Sequence, residues 1–283
     1  MKHLVAAFVF VLLLTSAPPL TAQAKSSAPP IVTKVEHFYV FADAARAEKL
    51  FALFRDEFQL PQVWAFRYWG GYSSGGVSLG NVVLEFATMK DANNPNPKTE
   101  FQGIVFEPIG DAASTAAILK ARGIPHEDPI AENPGWTIIP FTKIPPENVF
   151  LMLCDYKDRD TINAGRVKAA HELEEASGGN LGVVDLKEIV VGVKDVKAAA
   201  VKWEAALGRK MNGSTGVFQF GAGPDIHLIQ SDVEGIQEIR LRTRSSKNAK
   251  RFLTSRRMLG SDVKGALKID PATIEGLTVL LVK

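Results

Sequence analysis

The amino-acid sequence predicts an α+β fold that is assembled from repeated units. A short apolar strand, an amphipathic helix and further strands follow one another four times, as βαβββ-type units whose first strands begin near residues 35, 101, 188 and 236. Repetition of this kind is typical of folds built from copies of one supersecondary unit. The chain has 283 residues, a formal net charge of +2 and one cysteine. These values give no electrostatic case for nucleic-acid binding and exclude an intrachain disulfide, so packed cores must supply the stability.

Polar caps and glycines bound the predicted helices. Asp43 and Asp195 stand at N-cap positions before the first and third helices, and the second helix begins at about Asp111. Gly123 and Gly208 follow the second and third helices, where a left-handed residue commonly ends a helix. Each helix is therefore expected to be short and to follow its strand directly.

Alternation along the strands predicts one face packed under the helix and one open face. In the first strand, a period of two places Glu36 with Phe38 on one side and His37 on the other. In a later strand, Glu85 lies on the side opposite Leu84. If Leu84 packs under the helix, Glu85 points to the open side.

The N-terminus has the pattern of a secretory signal peptide. Lys2 precedes an apolar run over residues 4–14, and the small residues at 22–24 form a cleavage site. The run is far shorter than the roughly twenty residues that a membrane-spanning helix needs. We therefore expect an exported protein, secreted or periplasmic, with no stable membrane anchor after cleavage.

Composition divides the remaining chain into two domains. The apolar strand pattern stops after residue 156 and resumes near residue 183, and a charged connection with a predicted helix over 167–176 lies between. The predicted segments are a signal peptide at 1–24, a flexible lead-in at 25–30, an N-terminal domain at 31–156, a linker at 157–182 and a C-terminal domain at 183–283.

Four segments give the chain a resemblance to a known superfamily. They are residues 36–40, 76–86, 121–124 and 135–136. Through them the chain resembles the vicinal oxygen chelate superfamily, which includes glyoxalase I, extradiol dioxygenases and bleomycin-resistance proteins. The resemblance implies that two units pair into a cupped sheet that holds a divalent metal or a small ligand. Four units then imply two cupped mixed β-sheet domains with helices packed outside.

The resemblance also implies a set of metal ligands in the N-terminal domain. It places His37 and Glu85 as ligands, with Gln102 completing the set in part, for Zn, Fe, Mn or Ni. Met152, or Cys154 two residues on, stands in the fourth position, where a thioether is a poor ligand for hard ions. The implied enzyme is a metal-dependent lyase or isomerase acting on a small oxygenated substrate, with Glu85 moving a proton.

A metal-free cup that binds a small molecule, as in bleomycin-resistance proteins, is the alternative. His37 is then a satisfied polar residue in a pocket. An aromatic segment with one arginine supplies a wall suited to stacking and to pairing with a carboxylate, although a solvent-shielding core strand explains it nearly as well. The substrate-binding candidates are Trp64, Arg67, Tyr68, Trp69 and Tyr72.

Three further patterns are weaker. Glu188, His227 and Glu238 could form a second metal site, but a Glu–Arg ladder that includes Arg240 explains the same residues. Residues 71–75 match the G-x-S-x-G pattern of serine hydrolases, although a strand follows where that motif needs a helix, which favours a hairpin turn. Cys154 lies in an apolar strand and is predicted to be a buried, inert thiol.

Overall fold

The computed structural model describes residues 29–89, 97–133 and 135–283. The predicted signal peptide and residues 25–28 of the lead-in lie outside the described residues. Within the described ranges, none of the helices combines the length and the hydropathy that a membrane-spanning helix needs.

The first two units form one curled sheet of eight strands. In space the strands follow the order β2-β3-β4-β1-β5-β8-β7-β6, and the two units meet where β1 and β5 pair antiparallel at the centre. In chain order the strands are β1 (Val32–Phe41), β2 (Gln62–Tyr68), β3 (Tyr72–Ser78), β4 (Val83–Met89), β5 (Glu100–Pro108), β6 (Ile130–Asn133), β7 (Trp136–Pro140) and β8 (Phe150–Tyr156).

Helices α1 (Ala44–Ala52) and α2 (Ala112–Ala121) belong to these two units. The predicted cap of α1 is confirmed, because the side chain of Asp43 accepts a hydrogen bond from the backbone N–H of Arg46. A π-helical turn continues α1, and its Phe54 packs against Phe86 of β4 with ring centroids 5.1 Å apart. One face of the sheet is therefore closed by the helices, as the alternation predicts.

The third and fourth units form a second sheet of six strands, with helices α4 (Val196–Leu207) and α5 (Ser246–Ser255). The predicted α+β class with two cupped mixed sheets is confirmed. In this half each helix is followed by two strands in place of three, so these two units are shorter than predicted. The strands are β9 (Val183–Val193), β10 (Val217–Phe218), β11 (Asp225–Gln230), β12 (Gly235–Thr243), β13 (Leu267–Lys268) and β14 (Val279–Val282).

The linker contains a longer helix than the sequence predicts. This helix, α3, runs over Arg159–Glu175, and Asp158 caps it by accepting from the backbone N–H of Thr161. It contacts β8 on one side of the first sheet and β2 and β3 on the other, and it also contacts β9 of the second sheet. The linker helix therefore lies across the face of the first sheet that α1 leaves open.

The two domains share an apolar interface. Phe106 packs against Phe220 with ring centroids 5.8 Å apart, and Phe58 packs against Phe252 at 6.3 Å. The fully buried Trp203 of α4 donates a hydrogen bond from Nε1 to the carbonyl oxygen of Pro145 at 2.5 Å. Buried residues of both domains consequently form one continuous hydrophobic core.

Candidate functional site

Two β-bulges shape the open face of the first sheet. Glu36 is an extra residue of β1 relative to β5, and Gln102 is an extra residue of β5 relative to β1. A bulge turns two successive residues toward the same face. The expectation that Glu36 shares a face with Phe38 is therefore wrong, because the carboxylate of Glu36 contacts the ring of its neighbour His37 on the open side.

His37 and Glu85 come together at the centre of this face. Nε2 of His37 lies 3.1 Å from Oε2 of Glu85, and both side chains are buried. Nδ1 of the same ring is in short contact with Oε2 of Glu36. Each ring nitrogen thus faces a carboxylate oxygen, so both hydrogen-bonding atoms of the ring have a partner.

Glu36 is held from outside the sheet. Its side chain has no exposed surface, and Oε1 forms a short ion pair with Nη2 of Arg166 in α3. The hydroxyl of Tyr156 lies 3.4 Å from both carboxylate oxygens and 3.3 Å from Nη2 of Arg166. A buried carboxylate is stable only with such compensation. Sequence reasoning missed both Glu36 and Arg166, since strict alternation hid the first and the second lies in the linker.

The superfamily resemblance matches Gln102 to His37, but the strand register matches it to another residue. The pairing of Phe38 with Ile104 marks a local two-fold axis, because the bulges lie two residues before each. This axis relates Glu36 to Gln102. In the same way, the strand register relates His37 to Gly103 and Glu85 to Met152.

The residues of the open face do not complete a three-ligand metal centre. Gly103 has no donor, and the ring of Tyr39 fills the space beside it, since a Cβ built on Gly103 would lie 2.1 Å from that ring. Met152 offers only a thioether, which suits hard divalent ions poorly. Among the described residues, no group of three or more His, Cys, Asp or Glu side chains is placed to share a metal ion. Metal ligation by His37, Glu85 and Gln102 stays a prediction.

Aromatic side chains surround the His37–Glu85 pair. Trp64 lies edge-on to the His37 ring at 6.3 Å between centroids, and its indole covers Gly76, where a Cβ would be 2.7 Å away. Trp69 packs against Trp136 at 5.6 Å, and Trp136 packs in turn against Tyr156 at 6.3 Å. Sequence reasoning did not assign Phe150, which is 42 % exposed and pairs with Gly103 on the same face.

The other members of the predicted wall are placed differently. The guanidinium carbon of Arg67 lies 3.7 Å from the ring centroid of Trp69, so Arg67 covers that wall from its exposed side. Tyr72 is half-buried, and its pKa is raised by burial and by the nearby charge of Glu85. Tyr68 is 70 % exposed, and its hydroxyl donates to the carbonyl oxygen of Gly70 at the tip of the β2–β3 hairpin. Tyr68 is therefore turned away from the buried pair.

The hydroxyl and thiol groups of this face are neutral at neutral pH. Burial, reinforced by nearby negative charge, raises the pKa of Tyr39, Tyr72 and Tyr156 above the usual value for a phenol. Burial raises the pKa of the Cys154 thiol to about 12. The thiol is buried and free, as an inert cysteine should be. The face is consequently apolar with phenol groups, apart from its charged centre.

The weaker sequence patterns have structural explanations. Arg240 bridges Glu188 at 2.7 Å and Glu238 at 2.5 Å, while Nδ1 of His227 lies 3.2 Å from the same Glu188. This is the salt-bridged alternative to a second metal site. The serine motif lies at the β2–β3 turn and in β3, so Ser73 has no helix behind it and the hairpin interpretation holds.

Comparison with known proteins supports the architecture. No family model and no curated protein matches the chain. Solved structures do match: a variant of homoprotocatechuate 2,3-dioxygenase from Brevibacterium fuscum has a TM-score of 0.58 at 14% identity, over 91% of this chain and 73% of that one. The Arthrobacter globiformis enzyme gives 0.55 at 15%, over 90% and 80%. A hypothetical protein from Staphylococcus aureus gives 0.58 at 9%, over 88% and 98%.

These neighbours include extradiol ring-cleaving dioxygenases. The chain therefore shares its fold with these solved structures, and the two cupped mixed sheets that the sequence resemblance implies are confirmed. Identity this low shows the fold alone, since one fold supports many chemistries.

Proposed function

We propose that the open face of the N-terminal sheet binds a small organic molecule without requiring a metal ion. The observation that carries this proposal is the buried His37–Glu85 pair at the centre of half-buried aromatic side chains. A concave, mostly apolar surface with a few convergent polar groups is the usual form of a ligand site. Structural neighbours solved in complex with HPCA lend support, because their fold accommodates a small ligand.

The ligand is expected to be flat, with one polar end. Its body stacks between Trp64 and the Trp69–Trp136 pair, and its polar end hydrogen-bonds with the carboxylate of Glu85, whose Oε2 is held by His37. Among the described residues, the buried indole N–H of Trp69 has no hydrogen-bond partner, so it is a further donor for an acceptor on the ligand.

A metal-dependent lyase or isomerase is the second function open to this fold, and the His37–Glu85 pair is the feature that favours it. The donor set is incomplete, because Gly103 and Met152 stand at the two related positions. The residues present therefore do not define a metal-dependent reaction. Elemental analysis of the purified protein decides between the two functions.

The decisive experiment measures ligand binding in the presence of a chelator. Catechol, a flat molecule with adjacent oxygens, is titrated while tryptophan fluorescence is recorded, with and without EDTA. We expect saturable quenching that EDTA leaves unchanged, and metal below stoichiometric amounts. The His37→Ala, Glu85→Ala double variant should lose the quenching.

A matched control exists on the outer face of α3. His171 and Glu175 form an exposed pair with Nε2 and Oε1 3.3 Å apart. The His171→Ala, Glu175→Ala double variant should bind catechol as the wild type does. Quenching abolished by EDTA, together with stoichiometric metal that only the His37→Ala, Glu85→Ala variant loses, would establish the metalloenzyme instead. Failure of catechol and of related flat aromatic compounds to bind at all would overturn the proposal.

Export is a separate proposal. It is supported by Lys2, the apolar run over residues 4–14 and the small residues at 22–24. Expression of the full chain in a bacterial host, followed by N-terminal sequencing of the periplasmic fraction, should find a mature N-terminus at residue 25. Intact protein confined to the cytoplasm would contradict export.

A further inference from the structure

We infer that Arg166 of the linker helix is a positioning residue for the N-terminal site, because it fixes Glu36 and Glu36 in turn orients His37. The role given to Arg166 rests on the proposed function, since the His37–Glu85 pair is the polar part of the proposed ligand site. Beyond that function, this inference assigns the linker helix a role in orienting the polar residues of the site.

The first step is the dependence of His37 on Glu36. The bulge in β1 turns the Glu36 carboxylate toward Nδ1 of His37, and this short contact fixes the plane of the ring. With Nδ1 anchored, Nε2 is directed toward Glu85 at 3.1 Å. An imidazole without a partner at Nδ1 would be free to rotate about its side-chain torsions.

The second step is the dependence of Glu36 on Arg166. The carboxylate has no exposed surface, so water cannot replace a lost partner without a change in structure. Arg166 supplies the compensating positive charge, and Tyr156 supplies only a long hydroxyl contact of 3.4 Å. Loss of the guanidinium would leave a buried, uncompensated carboxylate, which must protonate, rotate or draw in water. Each of these changes would disturb its contact with His37.

The third step is the placement of Arg166 by the helix. Arg159, Asn163 and Arg166 lie at i, i+4 and i+7, on one face of α3. Arg159 donates to Asp155 at 2.7 Å, and Asn163 donates to Glu107 at 3.3 Å. These contacts dock the helix on the sheet independently of Glu36, and Arg166 then reaches the site.

A cavity of about 220 Å³ lies beside this contact. Its lining includes Glu36, Arg166, Asn163 and Lys34, together with Ala222 of the C-terminal domain. Space next to the ion pair means that a shorter side chain at position 166 would admit water to Glu36. A lysine in this position should therefore restore the charge without fully restoring the geometry.

The test observes the His37 ring directly by NMR in protein labelled with 15N-histidine. A His37→Gln variant assigns the ring signals. In the wild type we expect a downfield, slowly exchanging Nδ1 proton, because that proton is buried and donates to the carboxylate of Glu36. Arg166→Met should abolish this signal, and Arg166→Lys should restore it in part.

Arg159→Met is the matched control, because it removes an arginine from the same helix face without touching Glu36. It should leave the His37 signal in place. If Arg166→Met does not fold, Arg166→Lys alone carries the test, because it keeps Glu36 and the positive charge but not the geometry of the guanidinium. The downfield signal should then be weaker than in the wild type.

A wild-type His37 signal in Arg166→Met, or in Arg166→Lys where that variant replaces it, would overturn the role of Arg166. Loss of the signal in Arg159→Met to the same extent would also overturn it, since any weakening of α3 would then suffice. Neither result depends on ligand. Failure of the wild type to bind catechol would instead contradict the proposed function and leave the NMR result intact.

Discussion

Two glycines determine how aromatic side chains pack on the open face. Gly103 and Gly76 each leave room for an aromatic ring to lie against the backbone, Tyr39 in one case and Trp64 in the other. A strand glycine commonly marks such a close approach. The two rings thereby form part of the floor of the proposed ligand site.

Gly103→Ala should destabilise the protein and displace Tyr39. The added Cβ would lie 2.1 Å from the ring, so the ring or the strand must move, and overpacking of this kind costs about 1–3 kcal/mol. Urea unfolding measures the loss. Gly71→Ala is the control, because its Cβ meets nothing within 4 Å and the variant should unfold as the wild type does. Equal midpoints for all three proteins would show that Tyr39 does not occupy the space beside Gly103.

Alternation predicts some of these residues and misleads for others. A period of two separates His37 from Phe38 and Glu85 from Leu84, and His37 and Glu85 do lie together on the open face. It misplaces Glu36, because a bulge adds one residue and resets the phase of β1. Nothing in the local sequence signals that bulge, since the extra residue is defined only by pairing with β5.

At the scale of the elements, polar side chains hold part of the linker helix α3 to the first sheet. Its anchors are side chains of Arg159, Asn163 and Arg166, whereas α1 docks through buried apolar residues such as Phe51. Asp155 joins two helices, because one of its oxygens accepts from Arg159 of α3 and the other from the backbone N–H of Ala112 at the start of α2.

Asp155→Ala should therefore lower the free energy of unfolding by about 1.5–3 kcal/mol, the range for hydrogen bonds to a charged group. Thermal and urea unfolding measure this loss. Asp160→Ala removes an exposed aspartate from the first turn of the same helix and should change stability little. If the two variants were equally stable, Asp155 would not be an anchor of α3.

Helix boundaries were predictable where a cap precedes an apolar face. Asp43 and Asp195 fit this description, and both accept hydrogen bonds from helix N–H groups. The start of α3 could not be predicted in this way. Asp158 precedes a polar segment that lacks the 3.6-residue spacing of apolar residues by which an amphipathic helix is recognised. The contacts that order this segment come from distant residues such as Glu107.

At the scale of the whole molecule, the two domains pack against each other through apolar side chains. Trp203 reaches from α4 into the N-terminal domain, and Phe106 and Phe58 meet aromatic partners of the other half. An apolar interface of this kind couples the folding of its two sides. The four internal units were predicted from sequence, whereas the packing of the second pair against the first depends on contacts that no repeat encodes.

A single unfolding transition is therefore expected. Three of the four tryptophans lie in the N-terminal domain, so fluorescence mainly reports that half, while far-UV circular dichroism reports both. The two urea curves should coincide. Trp203→Phe should move both midpoints downward together, since it removes the hydrogen bond to Pro145. Separate midpoints for the two signals would show that the domains unfold independently.

The unequal halves of the first sheet have a consequence for the pose of a bound guest. Bulges at Glu36 and Gln102 flank the Phe38–Ile104 pair symmetrically, but His37 and Glu85 on one side correspond to Gly103 and Met152 on the other. A symmetric cradle would accept a guest in two equivalent poses. Here only one end offers polar side chains, so a guest with one polar end should have a single preferred orientation.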